Sequence, residues 1–133
     1  MELVTYLAFN GQCAEAFKAY EKILKGQIVF STTYGETPGH ENVADDVKKR
    51  IMHITLKVGN ATLQGADTPG PYSKPAGFSV TIQLDNEAEA DRIFAELSEG
   101  GQIRMPIDKT FWAKRFGMLI DRFNIPWMVN CGG

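Results

Sequence analysis

The chain is poor in the residue types that usually announce a mechanism. It carries two cysteines and two histidines, and Cys13 and Cys131 stand near opposite ends without metal-ligand spacing. They read as reduced, packed thiols rather than as a disulfide, a zinc site or a nucleophile. Charge of one sign is also missing. The 14 basic and 16 acidic residues leave a net charge of −2 and are scattered, with no block of Lys and Arg to track a phosphate backbone. Nucleic acid is not an expected partner. No run approaches the ~20 apolar residues that a membrane span needs. The opening "MELVTYLAFNG" lacks a basic flank, and its apolar run is too short for a signal peptide's core. The chain therefore reads as cytoplasmic, with no membrane partner.

What is present is a full globular core's worth of apolar side chains, 44% of 133 residues, and an order of elements that occurs twice. "NGQCAEAFKAYEKILKG" sets Cys13, Ala16, Phe17, Tyr20 and Leu24 on one helical face, with Asn10 as N-cap and Gly26 as the stop. "DNEAEADRIFAELSEGG" does the same with Ala90, Ile93, Phe94 and Leu97, with Asn86 and Glu89 spaced as a capping box and Gly100 and Gly101 as the stop. Each helix runs into "GQI". Each follows one β-like run, "LVTYLAF" or "FSVTIQL", and precedes three more. These are "QIVFSTTY", "RIMHITLKV" and "ATLQG", then "GQIRMPI", a run around "FWAKRFGMLI", and "IPWMVNC". The expected architecture is α+β, one domain of two tandem β-α-β-β-β modules: residues 1–66, a Pro- and Gly-rich linker 67–76, and residues 77–133.

Successive side chains of a strand point to opposite faces, so parity separates core from site. In "MHITLKV" the apolar Met52, Ile54, Leu56 and Val58 alternate with His53, Thr55 and Lys57, and in "FSVTIQL" Ser79, Thr81 and Gln83 form the polar set. Thr62 and Gln64 share a face of "ATLQG".

The opening "YLAFNGQCAEAFKAYEKIL", the middle "MHITLKVGNATLQGAD" and the ending "TFWAKRFGMLIDRFNIPWMVN" resemble the vicinal oxygen chelate superfamily, which holds glyoxalase I, bleomycin-resistance proteins and extradiol dioxygenases. Within it they look like the PhnB-like branch, often labelled "3-demethylubiquinone-9 3-methyltransferase". The resemblance covers nearly the whole chain. It implies the glyoxalase/bleomycin resistance/dihydroxybiphenyl dioxygenase fold, with curled mixed sheets around a concave cavity, and a homodimer. Superfamily enzymes place four metal ligands, His and Glu-like, on strands of both modules. Aligned by these motifs, those positions fall on Thr5, Gln64, Ser79 and Met128, of which only Gln64 is a plausible ligand, so no metal and no other cofactor is expected. The methyltransferase label fits no better, because no glycine-rich loop follows a strand ahead of a helix.

Thr5, His53, Thr55, Gln64, Asp67, Ser79, Thr81, Trp112 and Met128 are accordingly the candidate binding residues, with His53 the one catalytic candidate, as a general base or ligand anchor. Asp67 stands either at the cavity mouth or in an Asx-turn that begins the linker. Phe111 and Trp112 straddle a strand start, so that one of them looks into the cavity. Asp121 is a turn residue before the last strand, Trp127 packs under a helix, and His40 sits solvated in a polar loop. The leading expectation is a small-molecule binding protein without a metal. The alternatives are an enzyme, a lyase, isomerase or transferase using a divalent metal or His53, and a structural or regulatory dimer whose cavity its own side chains fill.

Overall fold

The computed structural model describes residues 1–132. The chain divides into two compact units, residues 1–73 and 74–133.

The first unit holds β1 (Thr5–Phe9), α1 (Cys13–Leu24), β2 (Gln27–Thr33), a single-turn α2 (Asp45–Lys48), β3 (Ile51–Val58) and β4 (Ala61–Asp67). Its sheet runs β1-β4-β3-β2, with β1 parallel to β4 and the other pairs antiparallel. Leu7, Phe9, Ile54, Leu56 and Leu63 turn to one face, where Cys13, Ala16, Phe17, Tyr20 and Ile23 of α1 cover them. Phe17 meets Phe9 edge-on at 6.0 Å and Tyr20 at 5.7 Å. The helix fits closely because Gly65 lies beneath it. A Cβ there would stand 2.7 Å from the Phe17 ring.

The second unit repeats the plan with β5 (Val80–Leu84), α3 (Glu87–Ser98), β6 (Gln102–Asp108), β7 (Arg115–Ile120) and β8 (Pro126–Cys131), in sheet order β5-β8-β7-β6. Here Leu119, Trp127, Val129 and Cys131 face α3, and Gly117 takes the place beneath Phe94, 2.6 Å from where its Cβ would be. The α+β architecture of two β-α-β-β-β modules is the one expected, with α2 as an addition inside the loop after β2.

The repeated "GQI" has a physical basis. Gln27 pairs with Lys57 on β3, and Gln102 pairs with Ile120 on β7. The glycine just before each glutamine brings the helix end against that neighbour: a Cβ at Gly26 would lie 2.6 Å from the Lys57 carbonyl oxygen, and one at Gly101 2.3 Å from that of Ile120. Nothing larger than hydrogen fits either place. Gly26 does not itself end α1 with a positive φ, since Lys25 takes the left-handed conformation at φ 55°.

The two helix starts differ. Asn86 caps α3 as its spacing predicts, accepting from the Glu89 amide at 2.8 Å. Asn10 does not cap α1. The residue before the helix is Gln12, whose side chain makes no capping bond, and the free amides there are met by Asp67 from the far end of β4. Asp67 is thus a buried strand residue, neither at a cavity mouth nor in an Asx-turn, and the connecting segment begins after it.

Candidate functional site

Each sheet has a second face, turned away from its helix, and most of the candidate residues lie on these faces. In the first unit the register sets Tyr6, Gln64, Thr55 and Phe30 in one row across all four strands. His53 lies next to this row. Its ring centroid is 5.8 Å from that of Tyr6 and 5.9 Å from that of Phe30, and its Nε2 is 3.2 Å from the Thr55 hydroxyl. Tyr6 and Phe30 are both about half exposed, at 51% and 53%, so the imidazole sits between two accessible rings. Burial raises the Tyr6 phenol above its ordinary pKa, with smaller contributions from Tyr34 and Cys13, so at neutral pH it keeps its proton as a hydrogen-bond donor. Lys57, further along this face, donates to the Thr62 hydroxyl at 2.6 Å.

Thr5 is not on this face. It pairs with Leu63 and shares the parity of Leu7 and Phe9, the residues that α1 covers, so its hydroxyl belongs to the helix side. The residue that β1 presents to the other side is Tyr6, one position on.

Asp67 is only 2% exposed and fully occupied. Its Oδ1 accepts from the amides of Gly11 at 2.8 Å and Cys13 at 3.0 Å, and its Oδ2 from the amide of Ile51 at 2.9 Å. It joins the start of α1 to the start of β3 and has no oxygen free for a ligand. Tyr34 donates its hydroxyl to the Asp67 carbonyl at 2.8 Å. Cys13, beside this carboxylate, is pushed well above the usual thiol range, chiefly by burial and then by the Asp67 charge, and so is not poised as a nucleophile. His40 is half-buried rather than solvated, edge-on to Tyr34 at 5.4 Å, because the loop after β2 folds back over that ring.

In the second unit the uncovered face carries Thr81, Met128, Met118 and Met105 in one row, and Gln83, Asn130 and Phe116 in the next. The Thr81 hydroxyl points at the Met128 sulfur, 3.7 Å away. Ser79 lies just before β5 and lines a cleft of about 490 Å³ together with Phe78, Met105, Met118 and Pro126. A second cleft, of about 520 Å³, is bounded by Gln83, Leu84, Asp85, Trp112, Asn130 and Gly132. Trp112 and Phe111 do not straddle a strand start. They belong to the connection between β6 and β7, where the Thr110 hydroxyl accepts from the Trp112 and Ala113 amides and holds a tight turn. Phe111 is fully exposed, while Trp112 rests edge-on against Phe116 at 5.2 Å.

Asp121 mirrors the role of Asp67 in the other unit: buried, it accepts from the amides of Phe123 and Ile125 and from the Trp127 indole at 2.8 Å. Sequence reasoning overlooked Asn130. The signal for it was available, since Asn130 is two residues beyond Met128 on the same strand and opposite Gln83, whose face parity had assigned.

No group of three or more His, Cys, Asp or Glu side chains placed to hold a metal ion occurs among the described residues. No helix among them is long and apolar enough to cross a membrane.

These arrangements can be set beside known proteins. Protein PA1353 of Pseudomonas aeruginosa has a crystal structure that superposes on this chain with a TM-score of 0.92 at 42% identity, covering 99% of this chain and 98% of that one. The PhnB protein of Bacillus cereus follows at a TM-score of 0.82 and 25% identity over 99% of this chain and 100% of that one. Protein YjdN of Escherichia coli strain K12 is 29% identical over 98% of this chain and 95% of its own length. A fosfomycin resistance protein, FosX of Mesorhizobium loti, shares the fold at a TM-score of 0.68 with 11% identity, over 100% of this chain and 92% of that one. The model of the family described as 3-demethylubiquinone-9 3-methyltransferase matches residues 1–130. The chain belongs to that family, the PhnB-like branch of the vicinal oxygen chelate superfamily.

Proposed function

We propose that the protein binds a small organic molecule with aromatic character, without a resident metal, and that His53 anchors it. The observation that carries this reading is the pair of accessible rings, Tyr6 and Phe30, flanking an imidazole that already has a hydroxyl partner in Thr55. Two rings supply stacking surface, while His53, Gln64 and the Tyr6 hydroxyl supply a few directional bonds, the usual division of labour in a ligand site. The donor chemistry does not fit a first-row metal. Of the four aligned positions Thr5 turns to the helix side, Ser79 offers a neutral hydroxyl, Met128 a soft thioether already approached by Thr81, and Gln64 alone remains.

The experiment is a ligand-observed NMR screen of small aromatic fragments against the full chain, with hits repeated on Tyr6→Ala and His53→Ala. Binding that weakens about tenfold in either variant, roughly 1.4 kcal/mol, is the expected result. Hits indifferent to both variants, or no hits at all, would remove the site. Metal content after equilibration with Zn²⁺, Ni²⁺, Mn²⁺ and Fe²⁺ should stay near zero per chain, and one metal per chain would overturn the metal-free part. We further propose a homodimer in solution. It is supported by exposed apolar side chains on edge strands, Val29 on β2 and Ile103 on β6.

A further inference from the structure

The 520 Å³ cleft of the second unit is lined by residues that lie outside the His53 face, and its polar side chains are Gln83, Asp85 and Asn130. Asn130 Oδ1 is buried and accepts no hydrogen bond. A buried acceptor without a donor is costly and rare, and Asn130 stands in register with Gln83 on β5 and Phe116 on β7. Asp85, exposed at the rim one residue past the end of β5, adds a carboxylate. The apolar wall is Trp112, 44% exposed, its ring fixed by edge contacts with Phe116 and Phe111 and its backbone by the Thr110 turn. Of the neighbouring cations, Arg115 is committed to Glu87 at 3.0 Å and Asp91 at 3.2 Å, and Lys114 lays its stem along Gly132.

An unfilled acceptor, a carboxylate and an indole wall together ask for one kind of guest. We propose that this cleft binds a small organic cation bearing N–H donors, an amidinium or protonated amine on an apolar body. The N–H groups donate to Asn130 Oδ1, the positive charge lies near Asp85, and the cation or its ring rests on Trp112. The inference shares with the proposed function only the premise that the ligand is small. Fragments that depend on Tyr6 or His53 would stand or fall without it.

The test uses three probes of matched shape, benzamidinium, benzamide and benzoate, titrated into the ¹⁵N-labelled full chain. The readout is the Trp112 indole N–H resonance, assigned by its loss in Trp112→Phe; Trp127, whose indole is bonded to Asp121, serves as the internal reference. Benzamidinium should shift the Trp112 signal saturably and bind roughly tenfold more tightly than benzamide, with benzoate weaker still. Asp85→Asn, at an exposed position that tolerates exchange, should remove most of that preference, and Asn130→Leu should remove binding. Equal or tighter binding of benzamide would overturn the proposal, and tighter benzoate would point to Lys114 instead. An unchanged preference in Asp85→Asn, or no saturable shift up to about 10 mM, well beyond what so small a ligand needs, would overturn it too.

Discussion

Replacing Asp67 by Asn tests how the first unit is held together, because the change is nearly isosteric and removes only charge and one acceptor. The amide can keep its oxygen on the Gly11 and Cys13 amides, but its NH₂ then faces the Ile51 N–H, donor against donor. Losing a hydrogen bond to a charged acceptor costs about 1.5–3 kcal/mol. The lost negative charge at the α1 N-terminus adds about 0.3–1 kcal/mol. The expected destabilisation is therefore about 2–4 kcal/mol, a large share of the roughly 5–15 kcal/mol typical of a domain. With a urea m-value of about 2 kcal/mol/M, the midpoint should fall by roughly 1–2 M at constant m. Far-UV circular dichroism follows the unfolding, and amide exchange at Gly11, Cys13 and Ile51 should accelerate more than elsewhere in the unit. Asp45→Asn is the control, since that side chain is 98% exposed in a surface ion pair with Lys48. If Asp67→Asn moves the midpoint no further than Asp45→Asn does, the carboxylate is not the clasp described here.

Two further outcomes are expected. Gly101→Ala and Gly26→Ala should each cost about 1–3 kcal/mol or more, since each forces a Cβ into a backbone carbonyl, whereas Gly70→Ala, with no atom within 4 Å of its added Cβ, should stay within about 0.5 kcal/mol; equal urea midpoints for all three would refute the close-approach account. Cys13 favours its neutral form in the folded chain, so its contribution is intact below the ordinary thiol value of 9.0 and is lost as pH rises above it. Urea midpoints should fall between pH 9 and about 11, less so in Cys13→Ala, and an identical fall in both would assign the effect elsewhere.

The sequence was most informative where a rule is local. Asn86 and Glu89 sit three residues apart, and the cap they announced is there. The alternation of His53 and Thr55 with Ile54 and Leu56 sorted the two faces of β3 correctly, because the hydrophobic side of a strand shows itself within a few residues. It was least informative where a distant group wins. Asn10 had the right chemistry to cap α1, but Asp67, 56 residues beyond Gly11, reaches the amides there, and no local pattern records that. Thr5 failed for a different reason: motif alignment is blind to a one-residue offset, and one residue exchanges the two faces of a strand. Phe111 and Trp112 looked like the start of a strand because aromatic residues favour strands, yet Thr110 offered a tighter turn to the same backbone.

The parallel pairing of β1 with β4 has a consequence during synthesis. Antiparallel β2, β3 and β4 can zip as each leaves the ribosome, but β1, made first, has no neighbour until the chain has lengthened by more than fifty residues, and the carboxylate that secures α1 arrives at the end of that same stretch, 56 positions after Gly11. At translation rates of about 5–20 residues per second the nascent Thr5–Phe9 strand waits roughly 3–11 seconds with both its edges open. The second unit imposes a similar delay, since Thr81 on β5 lies 47 residues ahead of its neighbour Met128 on β8. Slow codons placed just after β4 would give the first unit time to close before β5 emerges as a competing strand.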